Sequence, residues 1–203
     1  MEKILFLIVR IFRKIERVMF DFFQGFINKA YLKYHGASFD SQSIVFHGKC
    51  TLKIGKGSQV SIGKNFVCWG GVERNIDNRT QSRINVKMGA CLIIGCYSGI
   101  SNTSINCNKN VSIGNYVKIG AGCIISDEAW TKDEDYNNSA KIQGLTIDDN
   151  VFIGARSTIK KNVRIGAKSI ISAGSVVCCD IPEDEIWGGN PARFIKKIPY
   201  YKE

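Results

Sequence analysis

The residues that can do chemistry are few and unevenly placed. Two histidines, His35 and His47, stand near the start of the chain, and none follows them. After Ile125 comes the segment SDEAWTKDEDYNNSAKIQGLT, which carries Asp127, Glu128, Asp133, Glu134, Asp135, Trp130 and Tyr136. Carboxylates in such a loop can take hydrogen bonds from hydroxyls or pair with an amine, and aromatic faces can stack on a ring. The alternative is a solvated loop, above all for the last three acids, with aromatics packed against a neighbour. Eight cysteines show no framework spacing, and the adjacent pair Cys178-Cys179 suits neither a disulfide nor a zinc knuckle. Cys107 and Cys123 fall at inward and small-residue positions, where a thiol acts as a small hydrophobe. A reduced, cytoplasmic protein with no metal site is the expectation.

The element that must position these residues is read from a period of six. Ile147, Ile153, Ile159, Ile165, Ile171 and Val177 each open a hexad. Helices repeat apolar residues every three or four positions and strands every second one, so neither template fits. A coil with three short sides does fit, one aliphatic side chain per side pointing into a narrow prism. This predicts a parallel β-helix, an all-β solenoid. The same phase returns upstream at Ile94, Ile100, Ile113, Ile119 and Ile125, and less regularly at Ile54 and Ile62. Glycine after the inward residue suits a sharp corner, where lack of a Cβ permits unusual backbone angles. Three parts follow: a helical N-terminal cap over 1–43, the β-helix over 44–185 with a loop at 126–146, and a C-terminal extension over 186–203.

In the N-terminal segment Ile4, Ile8, Ile11, Ile15, Val18, Phe22 and Phe26 recur at helical spacing among Lys3, Arg10, Arg13, Lys14 and Arg17. The uncharged run Ile4 to Val9 falls far short of the ~20 residues of a membrane span, and no secretory cleavage site follows it. Two readings stay open: a helix packed on the solenoid end or a neighbouring subunit, or a basic amphipathic helix on the anionic inner face of a membrane. The net charge of +10 helps the second. Dispersed basic residues without a recognition module argue against nucleic acid.

The hexads, the runs NYVKIGAGCIIS and NVFIGARSTIKKNVRIGAKSIISAGSVV, and the tail EIWGGNPARFIKKI resemble the hexapeptide-repeat acyltransferases. Within that family the chain is similar to the sugar and polysaccharide O-acetyltransferases of cell-surface glycan biosynthesis. The resemblance covers about 44–197 and implies a left-handed helix, a homotrimer, and acetyl-CoA in a groove between adjacent prisms. On that reading Gly154, Ala155, Ala173 and Gly174 let the pantetheine arm approach, and Arg156, Lys160, Arg193, Lys196 and Lys197 meet the phosphates. The turn Asn190, Pro191, Ala192 and Arg193 then sits near the adenine. The competing reading makes the small residues ordinary corners and the lysines a solvated face.

The family's loop carries a catalytic His as general base, and alignment on the hexads puts Trp130 at its position. His47 lies about eighty residues from Trp130, a spacing that predicts over four coils and ~20 Å at ~4.8 Å per coil, so it is not expected to substitute. Asp127 or Glu128 could stand in, although a carboxylate is ordinarily a weak base for an alcohol; an amine acceptor would need no such base. Two functions follow: an acetyl-CoA-dependent acyltransferase acting on a sugar or glycan precursor, or a catalytically degenerate CoA- or glycan-binding solenoid. The γ-class carbonic anhydrases share this prism but need three His for zinc, which two His cannot supply. Residues 1–43 are also too few to hold the separate α/β domain of some nucleotide-sugar N-acetyltransferases.

Overall fold

A computed structural model describes residues 2–71, 81–128 and 144–199. It shows a left-handed parallel β-helix capped at one end by a single long helix. Six strands stack on the first face: Ser38–Phe39, Gln59–Ile62, Cys91–Ile94, Asn110–Ile113, Leu145–Ile147 and Arg164–Ile165. The second face stacks Val45–His47, Val67–Trp69, Gly99–Ser101, Lys118–Ile119, Phe152–Ile153, Ile170–Ile171 and Glu185–Gly188, then adds Arg193–Lys197 antiparallel. The third face holds Cys50–Ile54, Ser82–Val86, Ser104–Cys107, Ile124–Ser126, Thr158–Ile159 and Val176–Val177. One strand from each face makes a coil, so there are six full coils and the start of a seventh. The first coil begins at Ser38, six residues ahead of the boundary expected from the hexads.

The aliphatic residue of each hexad is the core. Ile147, Ile153, Ile159, Ile165, Ile171 and Val177 are all 0–1% exposed. Identical inward positions in successive coils are paired in register, as in Ile119 on Ile153 and Ile153 on Ile171. Stacking in register buries each side chain against like neighbours above and below. This is why a side of only six residues suffices to make a core. Ser157 and Ser169 are buried four places along from an inward residue, and each hydroxyl donates to a corner carbonyl, Ser172 O and Pro182 O.

The glycine that follows an inward residue has a different cause from the one expected. Gly95, Gly120, Gly154 and Gly166 do not take left-handed backbone angles. A Cβ on Gly154 would stand 2.4 Å from Ala173 N, and one on Gly120 2.6 Å from Ala155 N. The next coil's backbone occupies that space, so close approach excludes any side chain. The left-handed angles fall one or two residues later, at Gly57, Gly89, Gly122 and Gly174, and at Asn65, Asn150 and Asn162.

Helix α1 spans Glu2–Tyr34. It ends in a Schellman arrangement: Gly36 has φ +72°, its N–H donates to Lys33 O, and Ala37 N–H reaches Leu32 O. Its second half lies across the first coil. Leu32 is buried in the core, the Tyr31 hydroxyl accepts the Ile54 N–H, and Asp21 meets His47 and Gly48. The first half extends past the coil, and no described helix is long and apolar enough to cross a membrane.

Candidate functional site

The corner between the second and third faces carries small residues in its upper coils, with Arg156 among them and the C-terminal turn at its end. Backbone bonds run along it from coil to coil. Gly70 N–H donates to His47 O at 2.6 Å and Asn102 N–H to Trp69 O at 2.8 Å. Gly122 N–H then reaches Asn102 O at 3.1 Å, Arg156 N–H reaches Ala121 O at 2.8 Å, and Gly174 N–H reaches Ala155 O at 2.8 Å. A Cβ on Gly174 would meet nothing within 4 Å, and one on Gly122 only Arg156 Cγ at 3.5 Å. The same left-handed corner position is taken by Asn102, Gly122, Arg156 and Gly174, and where glycine fills it the outside of the edge is a bare strip.

The C-terminal turn closes the upper end of the strip. Gly189 N–H donates to the Ser175 hydroxyl at 3.2 Å, Val176 N–H to Gly189 O at 2.9 Å, and Ala192 N–H to Val176 O at 2.8 Å. Ala192 is buried by this fold-over, while Asn190, Pro191, Arg193 and Lys196 stay exposed beside the strip. Trp187 pins the hairpin: its ring meets Phe194 edge-on at 6.2 Å, and its Nε1–H donates to Glu185 at 2.7 Å. The structure thus brings Ala155, Arg156, Ala173, Gly174 and the Asn190–Arg193 turn onto one edge. Gly154 lies behind them, buried under the next coil.

The two carboxylates expected near the acceptor behave differently. Asp127 is 0% exposed and accepts the backbone N–H groups of Asn108, Lys109 and Asn110 at 2.6, 2.8 and 2.9 Å. Both its oxygens take backbone N–H groups from the corner of the coil below, so it ties down the point where the loop leaves. Three N–H donors and full burial suit Asp127 to anchoring the chain. Glu128 is exposed, with its N–H on the Ser126 hydroxyl at 3.2 Å. Trp130, Asp133, Glu134, Asp135 and Tyr136 lie outside the described residues.

All eight cysteines are free thiols. Burial pushes Cys107 up to about 12 and Cys123 up to about 11, which suits packing rather than nucleophilic work. Cys50 is raised well above its ordinary value, first by its contact with Cys68 and then by burial. Among the described residues no three His, Cys, Asp or Glu side chains converge on a metal position.

A feature not anticipated from the sequence lies at the lower end of the same edge. The overhanging part of α1 roofs a cleft of about 570 Å³ against the corners of the first three coils. His47 lines it, its Nδ1 3.3 Å from Asp21 Oδ2, and its ring stacked on Trp69 with centroids 3.9 Å apart. Asp21 Oδ1 also accepts the Gly48 N–H at 2.7 Å. His47 is three coils below the strand that leads to the loop, fewer than the spacing predicted. The spacing overstates the distance because residues 70–81 all fall at one corner, between the strand that ends at Trp69 and the one that begins at Ser82.

Residues 144–179 match the family model "bacterial transferase hexapeptide (six repeats)". The galactoside O-acetyltransferase of Escherichia coli is 32% identical over 99 residues, covering 48% of this chain and 49% of that protein. Gamma carbonic anhydrase 2 of Arabidopsis thaliana is 29% identical over 122 residues, covering 57% and 44%. The chain therefore spans less than half the length of either relative. Among solved structures, AntD, an N-acyltransferase from Bacillus cereus in complex with dTDP-4-amino-4,6-dideoxyglucose and coenzyme A, superposes with TM-score 0.63. It is 17% identical, with 85% of this chain and 90% of that one covered, a likeness of fold.

Proposed function

We propose that this chain, whose residues 144–179 belong to the hexapeptide-repeat transferases, is an acyltransferase that moves an acetyl group from acetyl-CoA to a sugar or surface-glycan precursor. The observation that carries this reading is the bare edge with its cationic end. An extended arm can lie along Ala155, Ala173 and Gly174, while Arg156, Arg193, Lys196 and Lys197 take the phosphates; Lys160 stands on the next corner, past Ile159. Acetyl-CoA binds as co-substrate, and no metal takes part. The relationship to a galactoside O-acetyltransferase favours a sugar hydroxyl as acceptor.

The reaction needs the acceptor to attack the thioester carbonyl carbon, the C–S bond to break, and the acceptor's proton to end on the CoA thiolate. Trp130 holds the position of the family's His, which leaves the exposed Glu128 as the described carboxylate next to that position. A second reading, a degenerate protein that binds CoA or a glycan without turnover, is favoured by the lack of any His beyond His47. Calorimetric titration with acetyl-CoA, with CoA release followed in the same samples, separates the two. Saturable binding with turnover supports the enzyme, binding alone supports the second reading, and no binding removes the enzyme and the CoA-binding form of the second.

The assembly belongs to the same proposal. Flat second and third faces of one prism suit burial against further copies, and the expected particle is a homotrimer of the 22.6 kDa chain. On α1, Phe12, Ile15, Met19, Phe22, Phe23 and Phe26 form an exposed stripe on the side away from the first coil. Together with the basic residues of the opposite side, it suits the inner face of an anionic membrane in the cytoplasm, where glycan precursors are assembled. Co-sedimentation with anionic but not neutral vesicles is the expected outcome.

A further inference from the structure

Helix α1 turns its polar side to the protein and its apolar side outward. On the docked side Asp21 meets the His47 ring and the Gly48 N–H. Asn28 is buried there, and its Nδ2 meets no acceptor among the described residues. Leu32 carries an apolar side chain into the core, with Tyr31 partly buried beside it. The other side is bare. At 3.6 residues per turn, Val18, Phe22, Phe26, Phe12, Phe23 and Ile27 follow one another around about half of the circumference, each 50–70% exposed. A seam for one partner helix is narrower. Phe12, Ile15, Met19, Phe22 and Phe26 keep the three-four spacing of such a seam, but its flanks are Ile11, Val18, Phe23 and Gly25, with Glu16 alone charged. A coiled coil places charges at those flanks. So wide an arc without them fits a continuous apolar medium.

We propose that α1 lies in the plane of an anionic bilayer with this arc at the acyl boundary, and that the prism stands end-on above it, first coil nearest the lipid. The inference rests on the inner-face reading above and adds which end of the prism meets the bilayer. The docked side of α1 and its apolar arc face opposite ways, so the coils stack away from the lipid. Arg10, Arg13 and Lys14 are exposed on the overhanging half, turned from the centre of the arc, where headgroup phosphates meet them. Standing end-on also keeps the CoA edge out of the lipid's field. Ala155 and Arg156 lie four coils beyond the first, ~19 Å at ~4.8 Å per coil, and Gly174 one coil further. The negative surface potential decays over ~8 Å at physiological salt. Acetyl-CoA, itself anionic, therefore reaches its edge without repulsion while the protein is docked.

The test mixes the full chain with vesicles of phosphatidylcholine and phosphatidylglycerol, with and without brominated acyl chains. An environment-sensitive maleimide reports from two places: the exposed Cys178 and Cys179 just past the sixth coil, and Phe23→Cys in a Cys178→Ser/Cys179→Ser background. Bromolipid should quench the label at position 23 and leave the label at 178 and 179 unchanged. Phe12→Asp/Phe23→Asp should abolish sedimentation with the vesicles, and Arg10→Gln/Lys14→Gln should weaken it about tenfold. Neither pair should change the melting temperature, and acetyl-CoA affinity should be the same on vesicles as in solution. Sedimentation with both labels quenched, or with neither, would overturn the end-on placement while membrane binding stood. No sedimentation would remove both; a smaller particle from Phe12→Asp/Phe23→Asp would then make a second copy the occupant of the arc. Loss of acetyl-CoA binding with the labels behaving as expected would strike the acyltransferase reading and support this one.

Discussion

The upper coils, from Leu145 to Val177, and the lower coils with α1 are built from the same hexad, yet they do different work. In the upper coils every side is short, every inward residue is aliphatic, and the outside of one edge stays bare. The lower coils tolerate extra residues at the same corner, a long helix across the end, and a His, an Asp and a Trp in mutual contact. Regularity supplies a straight rail for a long flexible ligand. Irregularity supplies a roofed cleft with directional polar groups. A solenoid can hold both because each coil depends only on its neighbours.

The contrast predicts a gradient of sensitivity. In the regular half, Ile153→Ala removes a fully buried side chain stacked between two others and should cost about 2–5 kcal/mol, read by chemical denaturation. Asp127→Ala should come next, at about 3 kcal/mol, since it strands buried N–H groups at Asn108, Lys109 and Asn110. If activity fell while stability stayed unchanged, Asp127 would be catalytic and its role as an anchor would be wrong. Gly154→Ala forces Ala173 aside and should cost about 1–3 kcal/mol.

The smallest expected effect concerns pH. Cys107 and Cys123 sit near 12 and 11 when folded but near 9.0 when unfolded, so both stay protonated in the fold. Their contribution is complete below pH 9 and is lost as pH rises from there toward 11–12, because the unfolded chain releases those protons first. Melting curves between pH 8 and 11 should therefore decline. Alkylation at pH 8 should label the exposed Cys178 and Cys179 well before the buried Cys107 and Cys123.

The upper half was legible because its signal is local: one aliphatic residue every six, from Ile147 to Val177, fixes both coil and core. The glycines were legible as necessary but not for the right reason, since Gly154 is set by Ala173 in the next coil, nineteen positions along the chain. Asp127 read as a loop carboxylate because nothing in the sequence shows that residues 108–110 point their amides at it. The cleft was not legible at all. It needs Asp21 from α1 to meet His47, and Trp69 to stack on that ring, across separations that leave no periodic trace.

The most direct measurement of the central claim is the affinity of acetyl-CoA for the native chain and for Ala173→Tyr, compared by calorimetry. Ala173 is exposed on the bare edge, so a tyrosine there should leave the melting temperature unchanged while it weakens binding at least tenfold. Equal affinity for both proteins would mean that acetyl-CoA does not lie along this edge, and the rail described here would be only a corner.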